Sequence, residues 1–288
     1  MTYAHSVIFS LLLLVSVAFN RNAVPIPGEG DGLVPRPTYR HVAIYNLHYQ
    51  RDSTNSKFED ATMALLAGGE YSIFGALGNL NADTIRHYRA LRKQNNWQFR
   101  SKPEQNHYFD YRVVKYADEI ATFDRIAVAQ SPIFKYSEPK TVFKWLILND
   151  TSTIAGYKCQ KASCHFGNRT WISWFSTEIP ISDGPYKFCG LPGLIIQISD
   201  TQNYWNFTLV SFENKEYFFP DTIINGFEVE NTTKNKFMTL LRSSYQNGFE
   251  MEQQYGLVFN NMIEETQERY RARAKSENNW LERFVTAK

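Results

Sequence analysis

Catalytic signatures are what this chain of 288 residues lacks. No G-x-S-x-G, H-E-x-x-H or C-x-x-C occurs in it, so the nucleophile elbow, the helical zinc site and the dithiol redox motif are all missing. One stretch is rich in glycine, from Gly184 to Gly193, but it carries no Lys-Ser/Thr and runs into the aliphatic segment LIIQI. A phosphate loop needs a helix amino terminus at that point, and is excluded. Charge of one sign is also scarce: 31 basic against 29 acidic residues leave a formal charge of +2. No global field draws the chain to nucleic acid, and no nucleic-acid partner is expected. After the first twenty residues no apolar run approaches the ~18 residues of a membrane-crossing helix, so the mature chain is expected to have no transmembrane span.

Apolar and aromatic residues are abundant, at 43% and 15%. A core can therefore form without metal or disulfide staples. The opening residues contain an apolar run from Val7 to Phe19 that ends in Ser16-Val17-Ala18. That pattern reads as a signal peptide over 1–18, followed by a flexible Gly- and Pro-rich leader over 19–38. Export implies an oxidising compartment, which gives the three cysteines meaning. Cys159 and Cys164 lie five residues apart in a strand-like segment. Alternation sets them on opposite faces, about 16 Å apart along the chain. A single bridge is the most the chain allows, with Cys189 the expected partner of one of the others and Cys159–Cys189 the leading pair. The same thiols, with His165, are the candidates for a soft-metal site.

Residues 39–288 read as one domain. Tyr39, Ala43, Tyr45, Leu47 and Tyr49 alternate with polar positions, the period of a half-buried strand. Gly68-Gly69 suits a hairpin turn. NADTIRHYRALRKQNN has helical spacing in Ile85, Tyr88 and Leu91, with Asn81 or Asp83 as cap and a basic opposite face. Seven strand-like segments follow, spaced by short connections, and from about residue 231 the spacing becomes helical, with Phe237, Leu240, Leu241 and Tyr245 on one face. Strands first and helices last indicate an α+β fold: a single curved, mainly antiparallel sheet, a meander or half-barrel, with one inserted helix and C-terminal helices.

The segment SDGPYKFCGLPGLIIQISD carries the densest turn chemistry. Pro192 sets φ for one central position and Gly193 accepts the positive φ of the next, as a type II turn requires. Asp183 before Gly184-Pro185 suits a turn, and together with Glu178 and Asp200 it also offers carboxylates for acid–base work. Asp183, Gly184, Pro185, Tyr186, Cys189, Gly190, Leu191, Pro192 and Gly193 are the candidate binding loop, expected to shape one rim of a site on the wet or concave side of the sheet.

From Phe123 to Phe212 the chain resembles the GLPGLI family of Bacteroidota cell-envelope proteins. The resemblance rests on Gly156-Tyr157-Lys158-Cys159, Trp171, Trp174-Phe175, Glu178-Ile179-Pro180, Gly184-Pro185 and the hexapeptide Gly190 to Ile195. It implies an exported protein, periplasmic or associated with the outer membrane, in an accessory role beside transport components; it implies no catalytic set and no cofactor. The resulting expectation is a non-enzymatic protein that binds a partner or a small apolar or peptide ligand. A hydrolase using a thiol or a carboxylate pair, and a metal-handling protein using the cysteines, are the alternatives.

Overall fold

The computed structural model describes residues 38–83, 109–129, 131–218, 228–256 and 263–282. The expected signal peptide and leader, and the basic face at Arg86, Arg89, Arg92 and Lys93, lie outside them. Twelve strands form one sheet: β1 (Thr38–Tyr49), β2 (Glu59–Ala67), β3 (Ser72–Ala76), β4 (Arg112–Lys115), β5 (Glu119–Asp124), β6 (Ile133–Pro139), β7 (Leu146–Ile154), β8 (Tyr157–Phe166), β9 (Arg169–Ser176), β10 (Leu194–Asp200), β11 (Trp205–Phe218) and β12 (Val229–Asn231). Helical residues 77–83 (α1) follow β3. Three helices follow the sheet: α2 (Lys234–Gln246), α3 (Gly248–Gln254) and α4 (Ile263–Ser276). Among the described residues no helix is long and apolar enough to cross a membrane.

The strand order is β12-β6-β5-β4-β3-β2-β1-β11-β10-β9-β8-β7. Two meanders, β1 to β6 and β7 to β11, share the long antiparallel seam β1–β11. The exception is β12, which adds to β6 in parallel. The expected α+β class and mainly antiparallel sheet are therefore present. The expected meander is present twice.

Connectivity dictates the curvature. Ten inter-strand steps separate β6 from β7, about 48 Å across a flat sheet at ~4.8 Å per step. Yet Pro139 is joined to Leu146 by one 3₁₀ turn, Lys140–Val142, and three further residues, a link that spans at most about 25 Å. The sheet must curl until its two arms face each other. It does not close, because β7 and β12 remain edges.

The curl creates an inside and an outside. Tyr45, Leu47 and Tyr49 of β1 pack inward with Met63, Phe74, Val113 and the segment between β9 and β10. Val42 and Ile44 pack outward against Leu66, Ile73 and the α1 residues Leu77 and Leu80. So β1 is buried on both faces from Val42 to Tyr45, where α1 helps cover the outer side, while Asn46 is half-buried and His48 exposed on the side that alternation assigned to solvent. The register shift between Tyr39 and His41 moves Tyr39 to the outer cluster. In β11 the expected division holds: Trp205, Phe207 and Leu209 are buried, while Asn206 and Thr208 are partly open.

Three details differ from the sequence reading. The inserted helix begins at Leu77, so Asn81 and Asp83 lie beyond its first turn and do not cap its start; Asp83 is buried and ion-paired with Arg112 at 2.7 Å. Thr141 to Trp145 cross between the arms instead of forming a strand. Strand β6 has a clear alternation, with Phe134, Tyr136 and Glu138 buried, but its flanking Pro132 and Pro139 hide it, since proline ordinarily demotes a strand.

Candidate functional site

The loop between β9 and β10 fills the hollow of the curled sheet. Asp183 through Cys189 are all buried, as are Leu191 and Gly193, whereas Gly190 and Pro192 reach solvent. Local hydrogen bonds hold the bends, from Phe188 N to Pro185 O at 3.1 Å and from Gly193 N to Leu191 O at 2.8 Å. Gly193 does not adopt the positive φ expected of a type II turn; that conformation falls to Gly190, at +94°, and to Tyr186, at +51°. What requires glycine at 193 is proximity. A Cβ there would lie 2.1 Å from Ser176 O.

Each buried polar group of the loop has a partner on an opposing element. Lys115 of β4 pairs with Asp183 and donates to Gly184 O at 2.6 Å. Trp145, in the crossing link, donates to Cys189 O at 2.8 Å. Tyr45 of β1 donates to Ile195 O at 2.8 Å. The loop thus ties both arms together.

At its centre is Lys187, with 0% of its surface exposed. Its ammonium has three protons, and three acceptors meet it: Glu138 Oε2 at 2.6 Å, Glu282 Oε1 at 2.6 Å and the Tyr136 hydroxyl at 3.0 Å. Lys234 of α2 bridges both carboxylates as well, and the Tyr186 hydroxyl donates to Glu282 Oε1 at 2.5 Å. Burial by itself would push the Lys187 ammonium down, but Glu282, Tyr136 and Glu138 hold it well above the usual lysine range. Burial likewise works to raise Glu282, and Lys187 and Lys234 outweigh it, so its carboxyl is lowered to about 2. Arg169 makes a second clasp, donating to Asp200 Oδ2 at 2.7 Å, to Asn279 Oδ1 at 2.6 Å and to Trp280 O at 2.6 Å. Together these groups bind residues 277–282 across the open end of the sheet.

Behind that closing segment is a cavity of about 530 Å³. Its walls come from residues 109–111 before β4, residues 124–129 at and after the end of β5, helices α2 to α4 and the closing segment, with Tyr136 of β6, Tyr186 of the loop and Trp205 of β11 between them. Tyr136, Tyr186 and Glu282 belong both to the lysine network and to the cavity wall. One wall is a run of touching rings, Tyr186 to Tyr111 at 5.2 Å, Tyr111 to Phe109 at 6.0 Å and Phe109 to Trp205 at 6.3 Å. Opposite them Trp280 packs edge-on to Tyr245 at 4.2 Å.

Asp124, the last residue of β5, faces this space. Burial raises its carboxyl to about 7; the hydrogen bond from Arg125 N, at 2.8 Å, works against the rise and the nearby Asp110 adds to it. Among the described residues no cation forms an ion pair with it. Because the folded protein keeps a proton here that the unfolded chain releases near 3.8, stability falls as pH rises from about 4 to 7, and the whole penalty is present above 7. Asp124→Asn removes the penalty. Urea unfolding is expected to show the variant about 1–3 kcal/mol more stable at pH 8 and equal to the parent at pH 4; a variant no more stable at pH 8 refutes the raised carboxyl.

The other residues singled out from the sequence do not gather. Glu178 accepts from Lys158 N at 3.0 Å, Asp183 pairs with Lys115, and Asp200 pairs with Arg169. Each is engaged by its own neighbour, so the three form no acid–base constellation. Cys159, Cys164 and Cys189 are all free and all buried, so the expected bridge is not formed. No cluster of three or more metal-ligating side chains occurs among the described residues, which leaves Cys159 and Cys189 without the company a soft metal needs. Burial raises all three thiols, Cys164 to about 12, the opposite of a reactive cysteine. Titration with a thiol reagent is expected to find none reactive in the native protein and three after denaturation; one after denaturation without reductant would mean a bridge.

Most of the cavity residues escaped the sequence reading; the exceptions are Tyr186, in the candidate loop, and Trp205, an aromatic suited to a pocket wall as Trp171 and Trp174 also are, of which Trp205 alone lines the cavity. They carry no shared motif, being assembled from segments that the curl and the closing segment bring together. The helical spacing of Phe237, Leu241 and Tyr245 was a further signal, and reads equally well as core.

Residues 166–197, the end of β8 through the interior loop to β10, match a family described as "Protein of unknown function (Porph_ging)". No curated protein matches the chain. Two solved structures of PNGF-II, in space groups P21 and C2, are similar at 11% and 12% identity, each with a TM-score of 0.47 and each covering 73% of this chain. This chain spans about a third of their length, 34% and 33%.

Proposed function

We propose that this chain is an exported cell-envelope protein of the GLPGLI type that binds a small organic ligand without transforming it. The observation that carries the reading is the 530 Å³ cavity, walled by aromatic rings and furnished with a few charged groups, the usual make-up of a small-molecule site. The apolar run from Val7 to Phe19 and the hexapeptide at Gly190 support the envelope assignment. The interior loop acts in this reading as the scaffold of the site, contributing Tyr186 to the wall and holding the closing segment through Lys187 and Glu282.

A hydrolase reading has one feature in its favour, the carboxyl of Asp124, which desolvation raises to about 7, in the range that suits a general acid. The thiols are unsuited to nucleophilic work, and the carboxylates singled out from the sequence, Glu178, Asp183 and Asp200, are each held by a different neighbour, so binding is the better account. The test is native mass spectrometry of mature protein from an envelope fraction, beside Leu241→Trp, whose larger ring would intrude on the cavity. A bound organic mass in the parent that is missing from the variant is expected. A bare parent that also takes up no member of a small-metabolite library overturns the reading.

A further inference from the structure

The cavity has an imbalance that its own residues do not correct. Several of its charges are answered within the fold. Glu282 is held by Lys187 and Lys234. Glu252 accepts from Ala129 N at 2.9 Å and from the Tyr270 hydroxyl. Arg273 is paired with Glu277 at 3.1 Å and stands 5.0 Å over the Tyr245 ring. Asp124 is different. The charges that act on it are Asp110, which opposes its ionisation, and Lys187 and Arg112, which favour it from beyond ion-pair distance. Arg112 is committed to Asp83, and Lys187 to Glu138 and Glu282. Arg125 gives Asp124 its backbone N–H, and Arg269 is exposed at the mouth.

A half-buried carboxyl that faces a cavity lined by aromatic rings, and that no cation among the described residues pairs with, has the complement of an organic cation. The rings offer negative faces to a positive charge, and the carboxylate offers its counter-ion. The Arg273–Tyr245 contact shows that this wall already accepts a cation over a ring. Resting on the binding reading above, we infer that the cavity is a site for an organic ammonium ligand, with Asp124 as its counter-ion and the rings of Tyr111 and Trp280 as its aromatic walls. A neutral sugar or lipid tail would leave the carboxyl as unpaired as before, and an anion would meet Asp110 and Asp124 together.

Binding of a cation requires Asp124 ionised, so affinity is tied to pH. With a permanently charged ligand the affinity is expected to fall about tenfold between pH 8 and pH 6, because only the ionised fraction of Asp124 binds. Calorimetry with choline and benzyltrimethylammonium, each against its uncharged all-carbon analogue, tests this on the full mature protein. The expected results are tighter binding of the ammonium compounds by about tenfold or more, the stated pH dependence, and loss of both in Asp124→Asn while thermal unfolding shows the variant folded. Analogues that bind as tightly as the ammonium compounds, or ammonium binding that Asp124→Asn leaves intact, overturn the proposal while leaving the binding reading standing. Failure of all four probes up to ~50 mM, well beyond the ~1 mM of weak binding, also overturns the proposal. Only if the parent is bare as well does the binding reading fall with it.

Discussion

Lys187→Met is expected to destabilise the protein by about 3–5 kcal/mol, the cost of leaving a buried charge without its partner. The methionine fills much of the volume, so the loss is electrostatic. Two carboxylates, Glu138 and Glu282, then share Lys234 alone. The effect has a pH signature. Glu282 is lowered from 4.5 to about 2 in the folded protein, so the stability it lends is complete above the ordinary glutamate value. It is lost as pH falls from about 4.5 to 2. In Lys187→Met the carboxyls are no longer held ionised, so acidification below pH 5 relieves the variant while it weakens the parent, and the gap between them narrows. Urea unfolding at pH 7 and pH 4.5 measures both. A loss under 1 kcal/mol at pH 7, or a gap that widens in acid, refutes this account of the network. Hydrogen exchange should localise the damage to residues 277–282, whose Glu282 loses its central contact.

Gly193→Ala is expected to cost about 3 kcal/mol or more, at the upper end of overpacking. The added carbon would lie 2.1 Å from Ser176 O and 2.9 Å from Thr177 N. Both are backbone atoms, so no side chain can turn aside; either the end of β9 or the start of β10 must move. Gly190→Ala provides the contrast. Its nearest neighbour is Trp145 at 3.8 Å, and its only difficulty is a φ of +94°, worth about 1 kcal/mol. Thermal unfolding of the two variants separates close approach from backbone conformation. An order of effects opposite to this one would return the positive-φ role to Gly193.

The two glycines mark where sequence reading stopped. That Pro192-Gly193 forms a bend was legible from the chemistry of the pair; which of the neighbouring glycines carries the unusual φ was not, because it depends on where β9 runs. Lys187 was similarly opaque. Between Tyr186 and Phe188 it reads as a solvated charge decorating a loop, and nothing local signals that Glu138 and Glu282, 49 and 95 residues away, converge on it. Asp124 offered no hint either, since its raised carboxyl follows from burial in a cavity whose walls are distant in sequence.

By itself the sequence determined the α+β class, the mainly antiparallel pairing, the wet and dry sides of β11 and the helical ending. These follow from side-chain periodicity and turn chemistry, which act over a few residues and need no knowledge of the rest of the chain. The tertiary structure alone decided that the two arms curl toward each other, that the glycine-rich loop fills the hollow instead of edging it, that the three thiols remain apart and that Asp124 faces a cavity with no ion-pair partner among the described residues. Those outcomes depend on how a short link between β6 and β7 bends a wide sheet, and on charges and volumes matched across long sequence separations. Such matching leaves no period for a local reading to detect.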